Sequence, residues 1–229
     1  MMTTSNNAYL YNLILSSSLI NYDDQYTAIS GMDASLALYL LSYSRELFFS
    51  YITKFNECSI VADTDLFFNV CLGIIHTIPS VSHIVYNNER IRFQYLNRFN
   101  FNIYSPSNLS PFNILYNSNE PIEYLYNGIL FRVPSIESVI TYCIYQYGEL
   151  NKNLEYLTNV AVLSTIYKSS IITNNILINI LKLNINIQKT IKSMIKDISS
   201  DKIMPVPFLN FSNNVVKKRT VEILEFCYG

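Results

Sequence analysis

The apolar residues of this chain change their spacing near Pro134, and that change limits the folds open to it. From Ser82 to Arg132 they recur close to every second residue, which is the period of a β-strand. After Pro134 they recur every three to four residues, which is the period of a helix packed on one side. We therefore expect an α+β fold: a mixed β-sheet module with flanking helices over residues 1–133, followed by a helical module over residues 134–229.

Turn-forming residues divide the two modules into elements. Asn127-Gly128 is a strong hairpin signal because both residues tolerate the positive φ angles of a type I′ turn. Gly148 is predicted to end the first helix after Pro134. Strands are predicted at Ile84–Tyr86, Ile91–Tyr95, Phe99–Tyr104, Phe112–Tyr116, Glu123–Tyr126 and Ile129–Phe131. Helices are predicted at about 8–20, 135–147, 152–168, 174–198 and 213–226.

The charge is divided unevenly between the two halves. Residues 1–151 contain six Lys or Arg and twelve Asp or Glu, whereas residues 152–229 contain ten and five. The acidic front half and the basic back half are consistent with two modules of different surface chemistry. The lysines of the helix predicted at 174–198 could face a nucleic acid or form an ordinary solvated helix face.

Composition excludes several classes of protein. The four cysteines have no C-x-x-C spacing, so neither a zinc site nor a disulfide framework is expected. No basic residue precedes Arg45 and no membrane-like apolar run reaches ~20 residues. We therefore expect a cytoplasmic protein without a leader or transmembrane segment.

The abundance of Ile, Asn, Tyr, Phe and Lys is typical of an AT-rich genome, such as that of a large DNA virus. The product of such a virus would act in the host cytoplasm.

Only 14% of the residues are charged while 50% are hydrophobic. This leaves little charge to cover the surface, so a protein partner or a homo-oligomer is expected to cover part of it.

One stretch suggests a chemistry. Tyr26–Ser30 is a short β-prone run, Ser30-Gly31 permits a sharp turn, and a helical period begins at Asp33 and continues to Leu47. This predicts a strand, a turn in which Gly31 can adopt positive φ, and a helix. Backbone N–H groups at such a turn and helix start can hold a phosphate.

A second strand is predicted over Ile60–Phe67 and carries Asp63 and Asp65. Because side chains at i and i+2 of a strand project from one face, the two carboxylates would point the same way and repel each other. A divalent cation relieves such repulsion, and Mg²⁺ favours carboxylate oxygens together with substrate phosphates.

A Gly-Ser-type turn that opens a helix, followed by a strand with hydrophobic-Asp-x-Asp-hydrophobic, resembles the nucleotidyltransferase-fold superfamily over residues 26–133. The resemblance implies that Asp63 and Asp65 hold Mg²⁺ as catalytic and metal-binding residues. It also implies that Ser30 and Gly31 contact a nucleoside triphosphate, with RNA, a protein or a small molecule as acceptor.

The chain departs from that family's pattern at three points. The turn reads Ser-Gly, the interval from Gly31 to Asp63 is long, and the third acid of the family is absent from the later strands. Gln94, Asn100 and Asn102 stand in the region where that acid is expected. The predicted function is therefore a nucleotidyltransferase-like protein, either active or catalytically degenerate.

A non-enzymatic structural or interaction protein, such as a virion or assembly component, is the alternative. The scarcity of His and Gly and the missing third carboxylate favour it. Arg90 and Arg92 share a strand face that could meet a phosphate or could simply be the polar side of a half-exposed sheet. His76 and His83 have no surrounding catalytic motif.

Overall fold

The computed structural model describes residues 28–52, 57–62, 75–76, 79, 81–87, 90–95, 97, 99–104, 114–115, 122–126, 129–150, 152–172, 185–200 and 211–228. The chain divides into two compact units, Met1–Ser135 and Ile136–Gly229. The described elements confirm an α+β fold with a mixed sheet.

The first unit contains seven described strands and two described helices. In chain order these are β1 (Ala28–Ser30), α1 (Met32–Tyr43), α2 (Arg45–Ile52), β2 (Glu57–Ala62), β3 (Val81–Tyr86), β4 (Arg90–Tyr95), β5 (Phe99–Tyr104), β6 (Ile122–Tyr126) and β7 (Ile129–Val133). β1 to β5 form one sheet in the order β1-β2-β5-β4-β3. Only the β2–β5 pair is parallel; the other three pairs of this sheet are antiparallel.

The two faces of the central strands differ because apolar and polar residues alternate along them. Ile60, Phe93 and Phe101 are fully buried, and the rings of Phe93 and Phe101 stack with centroids 4.9 Å apart. The opposite face carries Ser59, Asn102 and other polar side chains. This alternation fixes the register, since a slip of one residue would exchange the two faces.

One prediction about α1 is wrong. The helix does not continue to Leu47, because Ser44 is extended (φ −159°, ψ 128°) and separates α1 from α2. The Ser44 Oγ accepts a hydrogen bond from the N–H of Leu47 at 3.4 Å, which caps the start of α2. At the start of α1, Gly31 has a φ of −70°, so this turn does not draw on the positive φ that glycine permits.

β6 and β7 form a separate antiparallel pair in which Tyr126 is opposite Ile129. This pairing confirms the predicted hairpin, although Asn127 and Gly128 lie outside the described residues. The predicted strand Phe112–Tyr116 is wrong, because its described residues, Ile114 and Leu115, are helical.

The outer strand β3 is irregular. Its register against β4 shifts between Ser82 and Val85, and His83, which lies in that interval, has a φ of 53°. The Ser82 hydroxyl lies 2.6 Å from Oδ1 of Asn97, a second residue with positive φ (52°). His83 is exposed.

The second unit has four described helices: α3 (Ile136–Glu149), α4 (Leu154–Ile172), α5 (Ile185–Ser199) and α6 (Asn213–Tyr228). α3 packs against α4 and α5, and α6 packs against the same two helices. The first part of the helix predicted at 174–198 lies outside the described residues. None of the helices in the described ranges is long and apolar enough to cross a membrane.

Gly148 lies inside α3, so the prediction that it follows the helix end is wrong. A Cβ at Gly148 would lie 2.6 Å from Oγ1 of Thr190 on α5. The absence of a side chain therefore lets α3 and α5 approach closely.

Candidate functional site

The candidate site is the polar face of the central sheet. Ser59 on β2 lies opposite Asn102 on β5, and Asn102 lies opposite Arg92 on β4. Residues opposite each other on adjacent strands project from the same face. These side chains therefore form one row across three strands, called here the polar row.

The polar row passes from the buried interior to solvent. Asn102 is fully buried and Ser59 is 8% exposed, whereas Arg92 is exposed. Burial of an amide and a hydroxyl in a sheet is costly unless their polar atoms are satisfied. The row thus places polar groups where an apolar sheet face would carry Val or Ile.

Gly31 lies against the buried end of this row. Its N–H donates a hydrogen bond to the carbonyl oxygen of Ser59 at 2.8 Å, and a Cβ at Gly31 would lie 2.0 Å from Oγ of Ser59. The carbonyl oxygen of Gly31 accepts hydrogen bonds from the N–H and the hydroxyl of Ser35, at 2.9 and 2.6 Å. Glycine is required here because the start of α1 touches β2.

These contacts bear on the predicted contact of Ser30 and Gly31 with a triphosphate, which stays a prediction. The N–H of Gly31 is used within the sheet, so it does not point at a phosphate. Ser30 is the last residue of β1 and pairs with Ile60. The structure describes its backbone only. The remaining turn donors would have to come from the first residues of α1.

Two further pairs extend the polar face on either side of the row. Nε2 of Gln94 donates to Oδ1 of Asn100 at 3.4 Å, and these residues are opposite each other on β4 and β5. Arg90 lies opposite Tyr104, with its guanidinium 5.8 Å from the centroid of the Tyr104 ring. Asn100 and Asn102 therefore lie on the strand next to β2, on the face that also carries Ser59.

Arg90 and Arg92 lie on the same face of β4, as the sequence predicts. Arg90 is half-buried and Arg92 is exposed. Guanidinium groups suit the oxygens of phosphates because their donors form a planar fork. The described part of this face thus offers two cations and several neutral hydrogen-bonding groups.

Asp63 and Asp65 lie outside the described residues, because β2 is described only as far as Ala62. Their predicted roles as catalytic and metal-binding residues stay predictions. Within the described ranges, no three His, Cys, Asp or Glu side chains come together in a way that could hold a metal ion. The side-chain oxygens named so far on the polar face, those of Ser59, Gln94, Asn100, Asn102 and Tyr104, all belong to neutral residues.

The sequence alone did not reveal Ser59 as a neighbour of Gly31 and Asn102. The alternation of β2 places Ser59 in phase with Val61 and Asp63, which is a signal for one shared face. The parallel pairing that brings Asn102 beside Ser59 joins strands separated by β3 and β4, and local patterns do not encode such a pairing.

The chain was compared with known protein families, curated proteins and solved structures, and none of the three comparisons finds a match.

Proposed function

We propose that the first unit is a nucleotidyltransferase-like module, active or catalytically degenerate, that binds a nucleoside triphosphate with Mg²⁺. The observation that carries the proposal is the chain order β1, Gly31, α1, α2 and β2, with Gly31 against the polar row of Ser59, Asn102 and Arg92. A polar face at the start of a helix is a suitable place for a phosphate-bearing ligand.

In this proposal each part of the polar face has a role. The carboxylates of Asp63 and Asp65, which follow β2 in the sequence, hold Mg²⁺. Arg92 and Arg90 bind phosphate oxygens from β4. Asn100 and Asn102 stand on the strand beside β2, where the family's pattern calls for a third acid, so the module binds the metal through two carboxylates.

Calorimetric titration of the protein with ATP, with and without Mg²⁺, tests the proposal. We expect binding that requires Mg²⁺ and is lost in Asp63→Ala/Asp65→Ala. The matched control is Glu149→Ala/Glu155→Ala, which removes two exposed carboxylates from the second unit and should bind like the wild type. Absence of binding by the wild type, or equal loss in both variants, would contradict the proposal.

Arg92→Gln refines the test, because Arg92 is exposed and its replacement should leave the sheet intact. We expect weaker binding of ATP than in the wild type and in Arg45→Gln, a control at an exposed arginine on α2. Equal affinities in the two variants would remove Arg92 from the site.

A structural or interaction protein is the second candidate function, and the exposed apolar side chains of β6 favour it. Leu125 is 69% exposed and Ile122 is 45% exposed, although both are large and hydrophobic. The two side chains are three residues apart on one strand, so they project from opposite faces and each is a separate apolar contact point for another molecule. If this chain assembles with itself through β6, Leu125→Lys will lower its sedimentation coefficient while Val215→Lys, at an exposed position on α6, will not.

A further inference from the structure

α5 carries three lysines along one line of its surface. Lys189, Lys192 and Lys196 are all exposed. At about 100° per residue they fall within an arc of ~60°, and the first and last are ~10 Å apart along the axis. These three residues are called here the lysine stripe.

The lysine stripe is not neutralised by the described carboxylates. Asp197 is the only acidic residue of α5, and it is buried and accepts a hydrogen bond from the hydroxyl of Tyr147 on α3. The two ion pairs found among the described residues, Arg132 with Glu123 and Lys168 with Glu222, involve no residue of the stripe. Lys192 and Lys196, four residues apart on one helix, therefore repel each other.

Ordinary helix stabilisation accounts for only part of the stripe. Lys196 lies in the last turn, where a cation is favoured by the helix dipole. Lys189 lies near the opposite, positive end, and Lys192 lies in the middle. Lys192 is also held in place, since its Nζ lies 4.8 Å from the centroid of the Tyr228 ring on α6. An anion with regularly spaced charges would relieve the repulsion along the whole stripe.

The surroundings of the stripe favour a nucleic acid over a membrane. Helices that lie on lipid surfaces flank their cations with exposed apolar residues. On α5 the residues Ile187, Ile191, Met194 and Ile198 are all buried, and none of the exposed large hydrophobic residues in the described part of the chain is on this helix. Lysines on a polar helix face fit a phosphodiester backbone, which they contact as point charges without reading bases.

We propose that the lysine stripe of α5 binds the phosphate backbone of a nucleic acid without sequence preference. The proposal concerns the second unit and does not depend on nucleotide binding by the first. The two proposals can therefore fail separately.

Fluorescence anisotropy with labelled single-stranded oligouridine tests the proposal on the full chain. The logarithm of the binding constant falls linearly with the logarithm of the salt concentration, with a slope of ~0.7 for each phosphate contact to a single strand. Three contacts contribute a slope of ~2, so their loss should weaken binding by about 100-fold at ~0.1 M salt. We expect this loss, together with a shallower salt dependence, in Lys189→Gln/Lys192→Gln/Lys196→Gln.

The matched control is Arg45→Gln/Lys152→Gln/Lys218→Gln, which removes three exposed cations elsewhere. It should retain most of the affinity, and circular dichroism should show that both triple variants remain folded. Three outcomes would overturn the proposal. The wild type could fail to bind the RNA, the two triple variants could lose affinity equally, or a parallel titration with phosphatidylserine vesicles could show binding to the vesicles alone.

Discussion

The hydroxyl of Tyr147 donates a hydrogen bond to Oδ2 of Asp197, and both side chains are buried between α3 and α5. A carboxylate inside a helical unit is costly unless it is hydrogen-bonded. The pair therefore fixes α3 against α5 at the level of the lysine stripe. It also keeps the acid of α5 away from the lysines on the outside of the helix.

Tyr147→Phe should lower the free energy of unfolding by about 1–3 kcal/mol, because Asp197 remains buried and loses a donor. Urea unfolding followed by circular dichroism measures the change. Tyr145→Phe is the control, since Tyr145 is on the same helix but half-buried. A change below ~0.5 kcal/mol would show that the hydrogen bond adds little to stability.

The same pair predicts a pH dependence. Burial, followed by the hydrogen bond to Asp197, raises the pKa of Tyr147 from 10.0 to about 12. A raised pKa means that the folded state favours the neutral phenol, so this stabilisation is complete below pH 10 and disappears as the pH approaches 12. The stability difference between the wild type and Tyr147→Phe should shrink over this range, and a constant difference would contradict the assignment.

Gly148→Ala should destabilise the second unit by about 1–3 kcal/mol, because the new Cβ meets Oγ1 and Cγ2 of Thr190. Thr190→Ala removes both atoms and leaves only the Cβ of residue 190, at 3.5 Å. In that background Gly148→Ala should be neutral or stabilising by ~0.5–1 kcal/mol, since alanine is the better helix former. A double-mutant cycle in urea measures the coupling, and additive effects would be inconsistent with the contact.

Gly31→Ala should lower the free energy of unfolding more than Gly148→Ala does. Truncation of the neighbouring residue, Ser59→Ala, should not restore it. A Cβ at Gly31 would lie 2.9 Å from both Cβ and the carbonyl oxygen of Ser59, and these atoms remain in Ser59→Ala. We expect Gly31→Ala to lower the free energy of unfolding by about 3 kcal/mol, both in the wild type and in Ser59→Ala. Thermal unfolding of the three variants provides the comparison, and recovery in the double variant would show that only the Ser59 hydroxyl is in the way.

Cys227 should be almost inert in the folded chain. Burial raises the pKa of its thiol from 9.0 to about 12, and the thiolate is the reactive form. Alkylation by iodoacetamide at about pH 8 should therefore be roughly 1,000-fold slower than in urea. Mass spectrometry of the peptide that contains Cys227 follows the reaction, and similar rates in the two conditions would mean that the thiol is accessible.

Much of the secondary structure follows from local patterns. The strands β4 and β5 and the helices after Pro134 were predicted because alternating or helical spacing reports which side of an element is buried. The break at Ser44 was not predicted, because the helical spacing of apolar residues such as Leu40, Leu41 and Leu47 continues on both sides of it. Ser44 followed by Glu46 was the available signal, since a serine before an acid in the first turn is a common helix start.

The candidate site was less predictable than the elements around it. Gly31 and Gly148 were assigned to turns or helix ends, yet both are required where another element comes close. The neighbouring atoms belong to Ser59 and Thr190, which are distant in sequence, so a local pattern contains no information about them. The predicted roles of Asp63 and Asp65 concern residues outside the described ranges.

The irregularity of β3 has a consequence for how this protein behaves at high concentration. Outer strands with regular backbones can recruit a strand from another molecule and begin sheet-to-sheet polymerisation. The register shift between Ser82 and Val85 and the φ of 53° at His83 interrupt the ladder that an incoming strand would need. Between Ser82 and Val85, β3 thus offers an incoming strand no regular ladder, which disfavours growth of the sheet at this edge.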